Sequence, residues 1–276
     1  MVSELVEAES VPARMACDIT GLPTSSWYYV GMPKENSEDL VIEEFLRVCV
    51  AKRPRRGFWK CYKLARRKGH VWNHKRVYRV YKQLGLHLRR RVKYRPPARV
   101  QQPLLAPEAP NTGWAMDFTR DTLTTGRVFR TLNLIDEFNR EVLAIEIDLS
   151  LPAERVIRVL EQVKVWRCLP LSIRVDNGPE FIADALAEWG RENGVALNFI
   201  PPGKPQKNGF VERFNRSFRE DVLDCYLFDT LDEVREAAWE WMMEYNEERP
   251  HDSLGDLTPL EYRRKYEAEL AEVSTI

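Results

Sequence analysis

The sequence predicts an α/β protein with a mixed sheet, preceded by a helical, basic N-terminal region. Three observations carry this reading. Apolar residues recur at helical spacing through residues 1–95, a proline-rich stretch follows, and beyond residue 113 the apolar period shortens to two before helices and strands alternate. With 276 residues and 44% hydrophobic composition, the chain is long enough for two domains and apolar enough to pack a core.

In the first region, ARMACDITGLPTSSWYYV (13–30) reads as two short helices joined by a tight turn at Gly21 and Pro23, with Thr24 as N-cap: a helix-turn-helix-like arrangement. SEDLVIEEFLRVCV (37–50) is amphipathic. NHKRVYRVYKQLG (73–85) has Asn73 as N-cap, Val77, Val80, Tyr81 and Leu84 on one face, and Gly85 at C′; its other face is cationic. Trp59, Tyr62, Tyr78 and Tyr81, at near-helical spacing, are expected in the core. Five prolines fall within residues 96–110, and prolines lack the amide donors of a regular element, so a semi-rigid linker is expected there.

After the linker, GWAMDFTRDTL, RVFRTLNLIDEFN and REVLAIEIDLS are strand-like runs divided by turn signals at Thr125-Gly126 and Asn139-Arg140. Helix and strand then alternate. PAERVIRVLEQVKVW is helical, LSIRVDNG a strand ending in a turn, EFIADALAEWGRENG helical and VALNFIPPG a strand. Two closing helices begin in capping boxes, Thr230 with Glu233 and Thr258 with Glu261, the second with Pro259 at N1. The expected division is 1–95 helical and DNA-binding, 96–112 linker, 113–230 catalytic core, and 231–276 C-terminal helices packed on the core.

The 42 basic and 42 acidic residues cancel, yet the average hides a segregation: residues 51–99 hold 19 of the Lys and Arg and no Asp or Glu. A basic module is joined to an acidic one, and the excess of cations points to phosphate contact, with Arg66, Arg67, Lys75, Arg76 and Arg79 as candidates. Five scattered cysteines with no C-x-x-C suggest neither a disulfide framework nor a zinc-thiolate site, and read as reduced residues, mostly buried. His70 and His74 have H-x-x-x-H spacing but lack that partner motif, and read as structural. The acidic N-terminus has no signal-peptide pattern and no run is long enough to span a bilayer, so a cytoplasmic protein with no membrane partner is expected.

Three carboxylates stand out. In WAMDFT, alternation sets Trp114, Met116 and Phe118 on one face of a strand and Asp117 on the other. Asp176 lies where LSIRV runs out into DNGP, at the carboxyl end of a later strand, where α/β sites gather. If the two strands are neighbours, their side chains lie about 5 Å apart. Glu212 sits on the next helix, on a polar face with Asn208, Arg216 and Arg219, beside an apolar stripe of Val211, Phe214, Phe218 and Val222. Carboxylates brought together repel unless cations bind. Oxygen-only ligands favour Mg²⁺ or Mn²⁺, and two such ions about 4 Å apart serve phosphodiester displacement. On this reading Lys204, Gln206, Lys207, Arg213, Arg216 and Arg219 meet DNA phosphates, with IPPGKPQK as an active-site loop. Asn177 and Gly178 shape the turn after Asp176, Gly178 at positive φ and Pro179 opening the next helix, while Asp136 and Glu137 read as structural or turn residues.

Asp117, Asp176 and Glu212, with 35 residues between the last two, match the D,D(35)E pattern of retroviral integrases and insertion-sequence transposases. WAMDFT, LNLIDEFNRE, VDNGPEF, PGKPQKNGFVERFNRSFRE and YNEERPHDSLGDLTPLEY resemble the second-reading-frame protein of the insertion-sequence-three family. RRGFWKCYKLARRKG and NHKRVYRVYKQLGL are similar to its helix-turn-helix-like segment, and the likeness runs from about residue 11 to 265. The resemblance implies an RNase H-like integrase core, dependence on Mg²⁺ or Mn²⁺, and cleavage and joining of DNA at terminal inverted repeats. It further implies target DNA as a partner, at least a homodimer on paired ends, a nucleoid-associated location, and an upstream-frame fusion partner with a helix-turn-helix and a leucine zipper. Two rivals are a non-catalytic regulator that occupies element ends, and a simple RNase H-like nuclease. A regulator gains nothing from three clustered carboxylates, and a nuclease needs neither the basic arm nor paired ends.

Overall fold

The computed structural model describes residues 2–7, 11–29, 37–88, 105–201 and 208–273. The chain divides into two compact units, Met1–Val41 and Ile42–Ile276. In the first, α1 (Val2–Glu7), α2 (Ala13–Thr20) and α3 (Thr24–Trp27) enclose Val2, Ala16 and Cys17. Gly21 turns the chain at φ 71°. Thr24 is not the N-cap expected: Pro23 holds that position with ψ 131°, its carbonyl accepts from Ser26 and Trp27, and Thr24 begins the helix.

The second unit contains a helical cluster and a sheet. In α4 (Ser37–Lys52), α5 (Phe58–Arg67) and α6 (His74–Gln83), the side chains of Ile42, Leu46, Cys61, Ala65, Val77, Val80 and Tyr81 form one core with Trp72. Asn73 caps α6 by accepting from the Lys75 amide, and Gly85 follows at φ 66°. His70 stacks on Trp72 at 4.0 Å, and His74 lies against Trp59. Two aromatics expected in this core are outside it: Trp59 is 59% exposed and Tyr78 47%. Val77, Val80 and Tyr81 already fill the α6 stripe, so Tyr78, one residue on from Val77, falls on the flank, where it and Trp59 edge Phe58.

The five-stranded sheet has the order β3-β2-β1-β4-β5. Strands β1 (Gly113–Thr122), β2 (Val128–Asp136) and β3 (Val142–Asp148) are antiparallel, with turns at Gly126 and Arg140, both at positive φ. Strands β4 (Ser172–Val175) and β5 (Ala196–Phe199) continue the sheet in parallel with β1. On one face, α7 (Ala153–Trp166) and α9 (Asp184–Asn193) bury Val156, Leu160, Leu186 and Trp189 against Trp114 and Met116. On the other, α10 (Gly209–Phe218) and α11 (Leu231–Glu247) bury Phe214, Phe218 and Trp241 against Ala115 and Ile135. The single helix expected over 180–194 is broken: α8 (Pro179–Ile182) stops at Ala183, whose ψ of 136° is extended, before α9 begins. Beyond α10, residues Arg219–Leu223 widen into a π-helical turn. The chain closes with α12 (Pro259–Val273), opened by a complete capping box between Thr258 and Glu261; at Thr230 the hydroxyl accepts from the Glu233 amide, but Glu233 reaches back to Asp229.

Opposite charges join the basic helices to the acidic C-terminal segment. Arg53, Arg56 and Lys52 converge on Glu244, Lys63 pairs with Asp252 and Asp256, and Arg67 makes a two-pronged contact with Glu261. Burial opposes the charge on Glu244, yet the three cations overcome it and hold its carboxyl below its usual range. Part of the cationic excess in 51–99 is thus met within the chain.

The hairpin end of the sheet is fixed by a buried ion network. Asp136 and Glu137 are fully buried, and Asp136 makes the Asx turn expected there, accepting from the Phe138 amide. Arg167 reaches Asp136 at 2.9 Å, Glu141 at 2.8 Å and the Asn111 side chain at 2.8 Å, tying α7's end and the segment entering β1 to the β2–β3 turn. Removing Arg167 leaves Asp136 buried without a cation and Glu141 with Arg263 alone, at 3.5 Å, and uncompensated burial of this kind costs about 3–5 kcal/mol. We expect Arg167→Met to lower unfolding free energy by that amount in urea denaturation; a change under about 1 kcal/mol would show the network to be dispensable.

Candidate active site

Asp117 stands on the face of β1 shared with Ala115, opposite the core that holds Trp114 and Met116. The parallel register pairs Ala115 with Arg174; extended by two residues it sets Asp176, just past the end of β4, beside Asp117. The helix α10 crosses this face of β1 and β2, burying Val211, Phe214 and Phe218 while Glu212, in its first turn, stays exposed.

The link between α10 and Asp117 is Asn215. Its side chain is buried, donates to Asp117 Oδ2 at 2.7 Å, and accepts from Asn133 Nδ2 at 2.7 Å; Asn133 is the cross-strand partner of Asp117 on β2. The other Asp117 oxygen accepts from the Phe118 amide. Sequence reasoning missed Asn215. The signal was there, since four residues after Val211 and three before Phe218 it falls inside the apolar stripe, where a buried amide requires a specific partner.

The turn after Asp176 departs from expectation. Gly178 has φ −62°, not the positive φ predicted, so its role is not conformational. Its amide donates to Asp176 Oδ1 at 2.9 Å, and a Cβ at this position would meet that same oxygen at 2.9 Å. The glycine clears room for the carboxylate. Asn177 ties the turn to β5 by donating to the Ile200 carbonyl, and Pro179 opens α8 as expected. Phe181 stacks on Phe118 at 4.8 Å and anchors α8 to β1.

Burial pushes the Asp117 carboxyl up to about 6, and the charge of Asp176 adds to it, followed by Glu212; the Phe118 amide and Asn215 offset only part. The two charged groups that act most on Asp117, Asp176 and Glu212, are both acidic. Among the described residues no three His, Cys, Asp or Glu side chains close into a ready-made metal cluster, so the carboxylates stand near one another without enclosing a site. Oxygen-only donors fit a divalent cation, and the hydrogen bonds from the Phe118 amide and Asn215 leave the Asp117 carboxyl above its ordinary range.

The cations assigned to DNA do not behave as one group. Lys204, Gln206 and Lys207 lie outside the described residues. Arg213 and Arg216 are exposed on α10 beside Glu212, whereas Arg219 pairs with Asp121 and donates to the Arg120 carbonyl. On the basic helices Arg66, Lys75 and Arg79 are exposed, Arg76 is half-buried, and Arg67 is held by Glu261.

Two models described as integrase core domain match residues 107–205 and 193–259, and one described as HTH-like domain matches 36–94. An insertion element IS407 uncharacterized 31.7 kDa protein of Burkholderia multivorans is 36% identical, over 97% of this chain and 96% of that protein. The insertion element IS476 uncharacterized 39.2 kDa protein of Xanthomonas euvesicatoria is 32% identical, over 98% of this chain and 78% of its own length. The putative transposase InsK for insertion sequence element IS150 of Escherichia coli is 25% identical over 88% of this chain and 90% of that protein. The sheet and the matched core define an RNase H-like polynucleotidyl transferase. The chain belongs to the integrase-core transposases of insertion elements, the second-reading-frame proteins of the insertion-sequence-three family, and the regulator alternative is not favoured. Among the described residues no helix is long and apolar enough to cross a membrane.

Because the folded Asp117 carboxyl titrates above the ordinary 3.8, its ionisation works against folding, and metal-free stability should fall as pH rises from about 4 through 6. Carboxyl-carbon NMR of the metal-free protein should place the Asp117 midpoint near 6 and shift it downward on adding Mg²⁺. An ordinary midpoint, unmoved by Mg²⁺, would contradict the clustered-carboxylate geometry.

Proposed function

We propose that Asp117, Asp176 and Glu212 are the catalytic residues, that they hold two divalent cations, Mg²⁺ or Mn²⁺, and that the chain cleaves and joins insertion-element DNA at its terminal inverted repeats. One observation carries the proposal: a buried carboxylate at mid-strand whose charged neighbours are two further carboxylates, an arrangement that stands only if cations are supplied from outside. When bound, the ions supply charge stabilisation at the attacking and leaving oxygens of an in-line displacement.

The chain's own residues do the rest. Asn215 orients Asp117 Oδ2, and the Gly178 amide orients Asp176 Oδ1, so two carboxylates are aimed before any ion arrives. Glu212 projects from a helix whose buried face is locked on the sheet. Arg213 and Arg216, with Lys204, Gln206 and Lys207, meet the phosphates of the DNA end, and Arg219, once released from Asp121, joins them. Arg66, Lys75, Arg76 and Arg79 extend the contact along the duplex from the helical region; Arg67 would first have to leave Glu261. Water or a DNA 3′-hydroxyl attacks directly, with no covalent enzyme intermediate.

The division of labour follows the expected segments: 1–95 for DNA binding, 96–112 as linker, 113–230 for chemistry and 231–276 as packing helices. Paired ends call for a homo-oligomer on DNA, a nucleoid setting in the cytoplasm, and an upstream-frame fusion partner that adds end binding.

Strand transfer on duplexes carrying the element's own terminal repeat tests this reading. We expect wild type to make joined product with Mg²⁺ and Glu212→Gln to lose at least about 100-fold in rate, the scale on which one charge-stabilising group acts, while binding the same duplex unchanged. Equal rates for the two proteins would remove Glu212 from the chemistry.

A further inference from the structure

The YNEERPHDSLGDLTPLEY motif carries no part of the chemistry described above, and the structure gives it a place. Asn246 brackets Val142 on β3 through both its amide and its carbonyl, Arg249 pairs with Asp221, and His251 packs edge-on against Tyr245 at 4.8 Å. Together with α5 and the Phe210, Arg213, Phe214 and Ser217 flank of α10, this segment lines a cavity of about 450 Å³.

Six of its lining side chains are cationic and two, Glu220 and Asp252, are acidic. Lys63, Arg55 and Arg249 on the wall have carboxylate partners, in Asp252 and Asp256, Asp224, and Asp221. Lys60, Arg140 and Arg213 make no direct ion pair among the described residues, although Asp221 and Glu220 act on Lys60, Glu137 and Asp136 on Arg140, and Asp252 faces Lys60 and Arg213 at longer range. Arg140 donates to the Phe138 carbonyl at 3.3 Å and lies over the Phe210 ring at 3.5 Å. The Nε2 atom of His251, at the cavity's edge, is buried and without a hydrogen-bond partner among the described residues. Burial and the neighbouring cation Arg249 bring the Lys60 ammonium down to about 8, and burial with the same cation brings His251 down to about 3, so its ring is neutral. Concentrated positive charge with an unused ring nitrogen is a site short of an anion.

We propose that this cavity binds one backbone phosphate of the DNA strand that the chain processes, with Lys60, Arg140 and Arg213 supplying charge and His251 a hydrogen bond. The proposal rests on the DNA-processing reading above and adds a specific subsite to it. The position favours a strand phosphate over a free anion. Residues 210, 213, 214 and 217 form one flank of α10 and Glu212 lies around the same helix, so the two sites are separated by about a helix diameter, roughly 10 Å. At about 3.4 Å of rise per nucleotide, that is on the order of three nucleotides.

Fluorescence anisotropy of a terminal-repeat duplex in EDTA, with single methylphosphonates replacing successive phosphates, reads the subsite without catalysis. We expect one methylphosphonate, a few nucleotides from the joined end, to weaken binding several-fold in wild type. Lys60→Gln and, independently, Arg213→Gln should weaken binding to the unmodified duplex and lose sensitivity at that same position, and Lys60→Gln should reduce the slope of log affinity against log salt by about one. Arg213 is exposed, so its variant decides the matter if Lys60→Gln fails to fold. Unchanged affinity and slope, or variants that keep full sensitivity at every phosphate, would overturn the proposal. So would inorganic phosphate raising the Tm of wild type but not of Lys60→Gln together with a flat methylphosphonate scan, which would make this a free-anion site. Failure of both the wild-type chain and its upstream-frame fusion to bind the duplex would remove the DNA-processing reading itself, whereas binding indifferent to both variants would remove only the subsite.

Discussion

Burial of the Asp117 carboxyl beside two further acidic side chains, Asp176 and Glu212, is the constraint around which the sheet half of this protein is arranged. A carboxylate pushed up to about 6 by burial and by two acidic neighbours has to be held there by rigid surroundings. The central strand supplies that rigidity for Asp117, since β1 is paired on both sides, and α10 reaches it through Asn215, itself tied to Asn133 on the neighbouring strand. Asp176 is held by a different device, a short turn in which a glycine amide reaches the carboxylate because no Cβ blocks it. Three independent elements thus converge on one sheet edge, each anchored by apolar packing on the side away from the charge.

A second electrostatic arrangement gives the neutral net charge a structural meaning. The basic helices and the acidic C-terminal segment neutralise one another in part, through Glu244 beneath Arg53 and Arg56 and through the contacts of Lys63 and Arg67. The partners differ in burial. Glu244 is almost fully enclosed, so losing its cations would strand a charge in the interior, while the Lys63 and Arg67 pairs are partly wet and individually worth less.

Much of the fold was legible in the sequence because it rests on period and punctuation. The change from helical spacing to alternation at residue 113, the turns at Gly126 and Arg140, and the apolar stripe of α10 all reflect local rules that the structure obeys. What escaped depends on contacts between distant residues. Asn215 looked like one more polar helix residue until its partners on β1 and β2 were in place. Gly178 was assigned a positive φ because that is the commonest reason for a glycine in a turn, whereas the crowding that requires it comes from the Asp176 side chain. Trp59 and Tyr78 were placed in a core already filled by Val77, Val80 and Tyr81, and the pairing of Arg219 with Asp121, on a strand almost a hundred residues earlier, left no local trace in the sequence.

The central claim is that the three carboxylates are one metal-binding unit. Anomalous diffraction from crystals soaked in Mn²⁺ tests it most directly. The account requires two manganese peaks, with Asp117, Asp176 and Glu212 all among their ligands. Peaks coordinated elsewhere, or none at this edge of the sheet at millimolar Mn²⁺, would contradict it.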